Sequence, residues 1–180
     1  MIDYNGERQS SEHTYFAVTP TTLVCPAGTK SFFMMMGSAT KIIRITKIHV
    51  SGFTMTARAY HNINLRRISS APSGGTYSSL VKVPTDSQNE SSTISSCYVY
   101  TAEPTTDGTL VGNLQSYRMK INDTNPVQGD PQAEIQFNIS NGYTPGIILR
   151  GTSEGLSLAF GTTPASAITL SLEIEWTEIN

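Results

Sequence analysis

Gly151-Thr152-Ser153-Glu154-Gly155 matches the pattern G-x-S-x-G, in which a serine held on a sharp turn attacks a carbonyl carbon. That chemistry needs a helix after the serine and a histidine later in the chain to take its proton. Here Leu156-Ser157-Leu158-Ala159-Phe160 alternates as a strand does, and the last histidine is His61. The segment therefore reads as a turn, with its glycines supplying backbone freedom and Ser153 and Glu154 facing water. His13, His49 and His61 show no metal-ligand spacing, and Cys25 and Cys97 are distant from them in sequence. Asp123 and Asp130 share a polar loop but lack the run of carboxylates of a calcium loop. Gly74-Gly75-Thr76 lacks the lysine of a phosphate loop. No catalytic, metal-binding or cofactor-binding residue is expected, and the chain reads as non-enzymatic.

Charge is the second source of chemistry, and it is divided along the chain. From His13 through Thr85 there is no acid, against Lys30, Lys41, Arg44, Lys47, Arg58, Arg66, Arg67 and Lys82. From Asp86 onward eleven acids face only Arg118, Lys120 and Arg150, so these two opposed segments cancel and residues 1–12 supply the net charge of −2. Either basic and acidic strands lie side by side and pair across one sheet, or faces of opposite sign dock on neighbouring copies or on an acidic partner. The docking reading selects Arg44, Lys47, Arg58, Arg66 and Arg67 with Glu173 and Glu175. Lys41 and those arginines and lysine, with Phe53 and Tyr60 among them, also resemble a basic nucleic-acid patch. The acidic remainder of the chain argues against that use, and no nucleic-acid partner is expected. Tyr77 and Tyr143, placed in loops, are candidates for stacking on sugars.

These residues must be positioned by strands. Charged residues make up 14% of the chain and Ser with Thr about a quarter, which suits β-branched strands and hydroxyl-rich turns. The C-terminal stretch is the most regular. Ile168, Leu170, Leu172, Ile174 and Trp176 are apolar and alternate with Thr169, Ser171, Glu173, Glu175 and Thr177, the period of a half-buried strand. In Lys41–Thr56 the pairs Ile43/Ile45, Ile48/Val50 and Phe53/Met55 are successively out of phase, so bulges near Thr46-Lys47 and at Gly52 are expected to return them to one face. Phe32-Phe33-Met34-Met35-Met36 does not alternate. It reads as a central strand buried on both faces, with a partner-covered face as the alternative.

Turn signals such as Pro26-Ala27-Gly28 and Pro72-Ser73-Gly74-Gly75 separate roughly nine or ten short strands, and residues 84–96 read as a long exposed loop. The expectation is a flexible N-terminal arm over residues 1–14, then one all-β domain over residues 15–180. That domain is a jelly-roll-like β-sandwich or closed barrel of about 8–10 short antiparallel strands. Met1–Ser11 shows no basic segment followed by an apolar run, and the longest apolar run, Phe32–Met36, is far too short to span a membrane. A soluble protein without a membrane partner is expected. Cys25 and Cys97 read as free thiols, and the sequons at Asn89, Asn122 and Asn138 are no more than this Ser and Thr content gives by chance.

Several phrases occur in one order: Leu65-Arg66-Arg67, Gly74-Gly75-Thr76, Tyr100-Thr101-Ala102-Glu103-Pro104, Leu149-Arg150-Gly151 with Glu154-Gly155-Leu156, and Glu175-Trp176-Thr177-Glu178. Together they resemble small structural proteins of tailed bacteriophage particles, of the capsid decoration or cement kind. The resemblance implies a jelly-roll-like domain without catalysis on the surface of the virion, made in the host cytoplasm. It also implies the major capsid protein and copies of itself, as a homo-trimer, for partners, clamped across neighbouring capsomers. The competing class is a receptor- or carbohydrate-binding module on a phage tail or fibre.

Overall fold

The alternation at the C-terminus folds as expected, into the strand on which half of the molecule is assembled. The computed structural model describes residues 12–19, 22–28, 30–56, 58–123, 133–137, 139 and 146–180, and every regular element among them is a strand. In chain order these are β1 (Glu12–Val18), β2 (Leu23–Cys25), β3 (Ser31–Met36), β4 (Ile42–Met55), β5 (Ala59–Ile68), β6 (Thr76–Ser79), β7 (Val83–Pro84), β8 (Ser96–Ala102), β9 (Leu110–Asp123), β10 (Ala133–Phe137), β11 (Ile147–Arg150), β12 (Gly155–Phe160) and β13 (Ile168–Ile179). Ten of them follow one path, β6-β8-β3-β12-β5-β9-β4-β13-β1-β7, in a sheet that curls into a half-barrel. Strands β10 and β11 add to β4, and β2 adds to β13 beyond the end of β1. All ladders are antiparallel except a short parallel contact of Thr54 and Met55 with Asn122 and Asp123, where β9 leads from one half of the sheet into the other.

The thirteen strands exceed the sequence expectation in part because β6 and β7 are strands without an apolar period. All four residues of β6 are exposed, and β7 is only two residues long. The first strand also begins before residue 15: His13 pairs with Glu178 and Thr14 with Thr177, because β13 continues past Trp176 and offers them backbone partners. Residues 12–14 of the expected arm thus belong to the sheet, and residues 1–11 lie outside the described residues.

Both bulges in β4 are present. Register against β13 shifts where Lys47 faces Glu175 and Ile45 faces Trp176, and again between Ser51 and Thr54. Gly52 takes φ 67 at the second, a left-handed backbone that glycine adopts without strain. Ile43, Ile45, Ile48, Val50, Phe53 and Met55 consequently all reach one core. From β13 that core receives Ile168, Leu170, Leu172, Ile174 and Trp176, and from the other half of the sheet Phe32, Phe33, Met35, Leu65, Leu158 and Phe160. Tyr15 stacks on Trp176 with ring centroids 5.8 Å apart, and Phe32 lies 4.9 Å from Phe160. Strand β3 is buried along its whole length between β8 and β12, as a central strand should be. A bulge between β3 and β12 sends Phe32 and Phe33 into the main core, while Met34 and Met36 join Ile68 and Tyr100 in a smaller core on the opposite face. Cys25 and Cys97 are free, and burial pushes both thiols up to about 12.

Leu172 lies at the centre of this arrangement, fully inside the core and level with Val50. Truncation there removes its apolar contacts and leaves a cavity. Leu172→Ala is expected to lower unfolding free energy by about 2–5 kcal/mol, read as a lower urea midpoint with an unchanged m-value.

Candidate functional site

The charged residues that the sequence marks for docking are placed by two different halves of the sheet. On the outward face of β4 and β13, Lys47 Nζ lies 2.8 Å from Glu173 Oε1, and the Thr46 hydroxyl donates to Glu175 at 2.6 Å. Arg44 pairs with Glu12 of β1 on the same face, and His49 Nε2 is 3.6 Å from Glu134 of β10. These groups stand one-third or more open to water at Lys47 and Glu134, and nearly so at Glu173. Glu173 and Glu175 therefore lie against the basic strand, the first of the two arrangements open to them.

Arg66 is elsewhere and is buried. From β5 its guanidinium donates to the hydroxyls of Ser157 on β12 and Ser31 on β3, at 3.1 and 2.7 Å, and lies 3.3 Å from Asp107. Ser31 in turn donates to Asp107, and Glu103 accepts from the Ser31 backbone amide at 3.1 Å. This network fastens the segment carrying Glu103 and Asp107 over the sheet. An arginine expected on a docking face is consumed inside the chain, because only carboxylate and hydroxyl partners make its burial tolerable. Arg67 meets Glu154 at 2.6 Å and the Ile148 carbonyl at 2.9 Å. Glu154 also accepts from the Arg150 amide at 2.8 Å, so it ties down the turn that begins at Gly151 while its side chain stays about one-third open to water. Ser153 is exposed on that turn, and residues 155–160 after it form β12, not a helix. Arg58 is exposed between β4 and β5.

Glu178 has the feature sequence reading missed. Its side chain is fully buried, and its carboxylate accepts from the Thr93 amide at 3.0 and 3.1 Å, the Thr93 hydroxyl at 2.7 Å, the Ser92 hydroxyl, and Trp176 Nε1 at 3.3 Å. The even parity of Ile168 to Trp176 extends to Glu178 and was the available signal. The segment that it holds includes buried Ile94, and the Tyr15 hydroxyl donates to the Glu90 carbonyl at 2.9 Å. Residues 84–96 are thus in part seated on the sheet end, where their hydroxyls serve a buried acid.

Tyr77 belongs to β6 and stacks on Tyr98 at 4.5 Å, with Tyr100 edge-on at 5.8 Å, so one ring face is taken; Tyr143 lies outside the described residues. A cleft of about 460 Å³ between β2 and the β6–β8 edge is lined by Leu23, Val24, Leu80, Val99 and the hydroxyls of Thr19 and Thr101, without an ionisable side chain. Among the described residues no three His, Cys, Asp or Glu side chains gather as metal ligands. Strand β9 is paired with β5 along Leu110–Ile121, and among the described residues no strand forms a ladder on its second edge over Leu110–Leu114. Leu110, Val111 and Leu114 are exposed on it. Comparison of the chain with family models, with curated proteins and with solved structures finds no match.

Two predictions concern the buried groups. Glu178→Ala leaves the Thr93 amide and the Trp176 N–H without an acceptor, which costs about 3 kcal/mol. Hydrogen exchange is expected to accelerate first at Thr93 and Ile94. His61 is buried edge-on against Phe160, and neither ring nitrogen has a hydrogen-bond partner among the described residues. Burial holds its pKa below the ordinary 6.5, so the unfolded chain binds the proton more readily than the folded one. That contribution to stability is complete above pH 6.5 and declines as pH falls through and below it. His61→Leu is expected to flatten the loss of unfolding free energy between pH 7 and pH 5.

Proposed function

We propose that this chain is a non-enzymatic structural virion protein, a capsid decoration protein that stabilises a bacteriophage head by binding neighbouring capsomers. In this reading the two halves of the curled sheet are the layers of a jelly-roll-like sandwich. The partners are the major capsid protein and further copies of the chain, as a trimer on the capsid surface. The observation that carries the proposal is the edge of β9 that is left without a ladder among the described residues. A free strand edge presents unpaired N–H and C=O groups to any adjoining chain, and monomeric proteins commonly blunt such edges. Over Leu110–Leu114, roughly 17 Å at the rise of an antiparallel strand, no ladder forms on this edge among the described residues, and Leu110, Val111 and Leu114 are exposed there.

The charges support the same surface by elimination. Arg44, Lys47, Arg66 and Arg67 are each matched to a carboxylate of their own chain, so exchanging them for a partner would break existing pairs. An apolar edge has no such competing use. Many copies engaging at once allow each contact to be modest, with avidity holding the shell.

The test is reconstitution on particles that lack the protein. The purified chain is expected to bind them and to raise their resistance to heat and to low ionic strength. Val111→Lys with Leu114→Lys should weaken binding roughly tenfold or more while leaving the chain's own thermal transition in place. Particles that neither bind the protein nor gain resistance would remove the decoration role.

A further inference from the structure

Strands β5 and β9 present a second surface, on the sheet face rather than along its edge. Tyr60, Asn62 and Asn64 of β5 stand opposite Lys120, Arg118 and Ser116 of β9. These six side chains form two rows of three, roughly 14 Å long from the rise per residue. All are exposed except half-buried Asn64, and Tyr60 is 64% open. The intervening residues His61, Ile63 and Leu65 are buried beneath.

The cations on this face differ from those that join strands and covers. Lys41, Arg44, Lys47, Arg66 and Arg67 all have a carboxylate partner within the chain. Arg118 and Lys120 have none among the described residues, and the guanidinium of Arg118 instead lies over the Tyr60 ring at 5.2 Å to its centre. That contact keeps the cation against the ring instead of against an acid. Between and beside the two cations are neutral groups with both donors and acceptors. Ser116 donates to Asn64 Oδ1 at 2.6 Å, which leaves the Asn64 amide N–H groups for an outside acceptor.

We propose that this face binds a carboxylated polysaccharide, one with uronate units and free hydroxyls along an extended chain. Arg118 and Lys120 take the carboxylates, while Asn62, Asn64 and Ser116 exchange hydrogen bonds with the hydroxyls. The exposed side of Tyr60 covers the apolar face of a ring. A phosphodiester chain suits the face less well. Two cations release few counterions from such a chain, and it offers the amide and serine row fewer hydroxyls than a polysaccharide does. An acidic peptide would use the cations and leave the amide row unmatched. The face and the open edge of β9 are distinct surfaces, so this inference goes beyond the decoration reading and stands without it.

Titration calorimetry with oligogalacturonate, beside maltohexaose, oligo-dT and poly-glutamate, tests the proposal. Binding to oligogalacturonate that weakens with added salt, with none to maltohexaose, is expected. Arg118→Gln with Lys120→Gln should lower the affinity about tenfold or more without moving the thermal transition. Asn62→Ala with Asn64→Ala should also weaken it, and this second variant keeps both cations. The proposal is overturned if oligogalacturonate does not bind at low salt, or if the asparagine variant binds it as well as the parent. It is equally overturned if oligo-dT or poly-glutamate binds as tightly.

Discussion

The antiparallel ladder between β4 and β13 is the contact on which the rest depends. It runs from Ile42 opposite Ile179 to Met55 opposite Ile168, nearly the full length of both strands. The outer edge of β13 carries β1 and β2, and the outer edge of β4 carries β10, β11 and the end of β9. A slip of one residue in this ladder would turn Leu170, Leu172, Ile174 and Trp176 out of the core together. Burying those large side chains outweighs any surface contact that such a slip could gain. The two bulges set the curvature, because without them the middle apolar pair of β4 would leave the face on which the outer two lie. A curved β4 also brings the half-sheet of β3, β5 and β12 over the same core.

That ladder was legible in the residues, since strict period in β13 and phase changes in β4 are local signals. The bulges at Thr46 and Gly52 follow from the same reasoning, as does burial of Phe32–Met36 on both faces. Strands β6 and β7 were not legible: their side chains are mostly in water, so no apolar period records their pairing with β8 and β1. The open edge of β9 was hidden for a different reason. Which strands lie beside one another is decided by non-local packing, and nothing within Leu110–Leu114 states that among the described residues only β5 will form a ladder with it.

The division of charge along the sequence resolves into pairs that join the two parts of the chain. Lys41 reaches Glu90, Lys47 reaches Glu173, Arg66 reaches Asp107, and Arg67 reaches Glu154. In each the cation precedes residue 86 and the acid follows it. Pairs as open to water as Lys47 with Glu173 add little stability, typically below about 1 kcal/mol. Their effect is on choice of partner, because a strand pairing that set cation against cation would be disfavoured. The sequence showed that opposite charges were segregated. Topology was needed to show that they are then matched inside one chain.

Buried charge is handled in two ways, and the contrast explains where recognition groups remain. Arg66 is neutralised by Asp107 and further satisfied by two serines, which fixes the segment with Glu103 and Asp107 over one sheet face. Glu178 has only neutral donors, from Ser92, Thr93 and Trp176, and so fixes a different segment at the end of β13. Each converts a polar loop into a fitted cover, since removing the loop would strand a charge in a dry place. The charged groups that hold covers and strands are then not available to an outside partner. What is left over is the β9 edge, the aromatic and amide face that β9 shares with β5, and the two cations there that no acid among the described residues meets. Both proposed surfaces therefore lie on β9, the strand that joins the halves of the sheet.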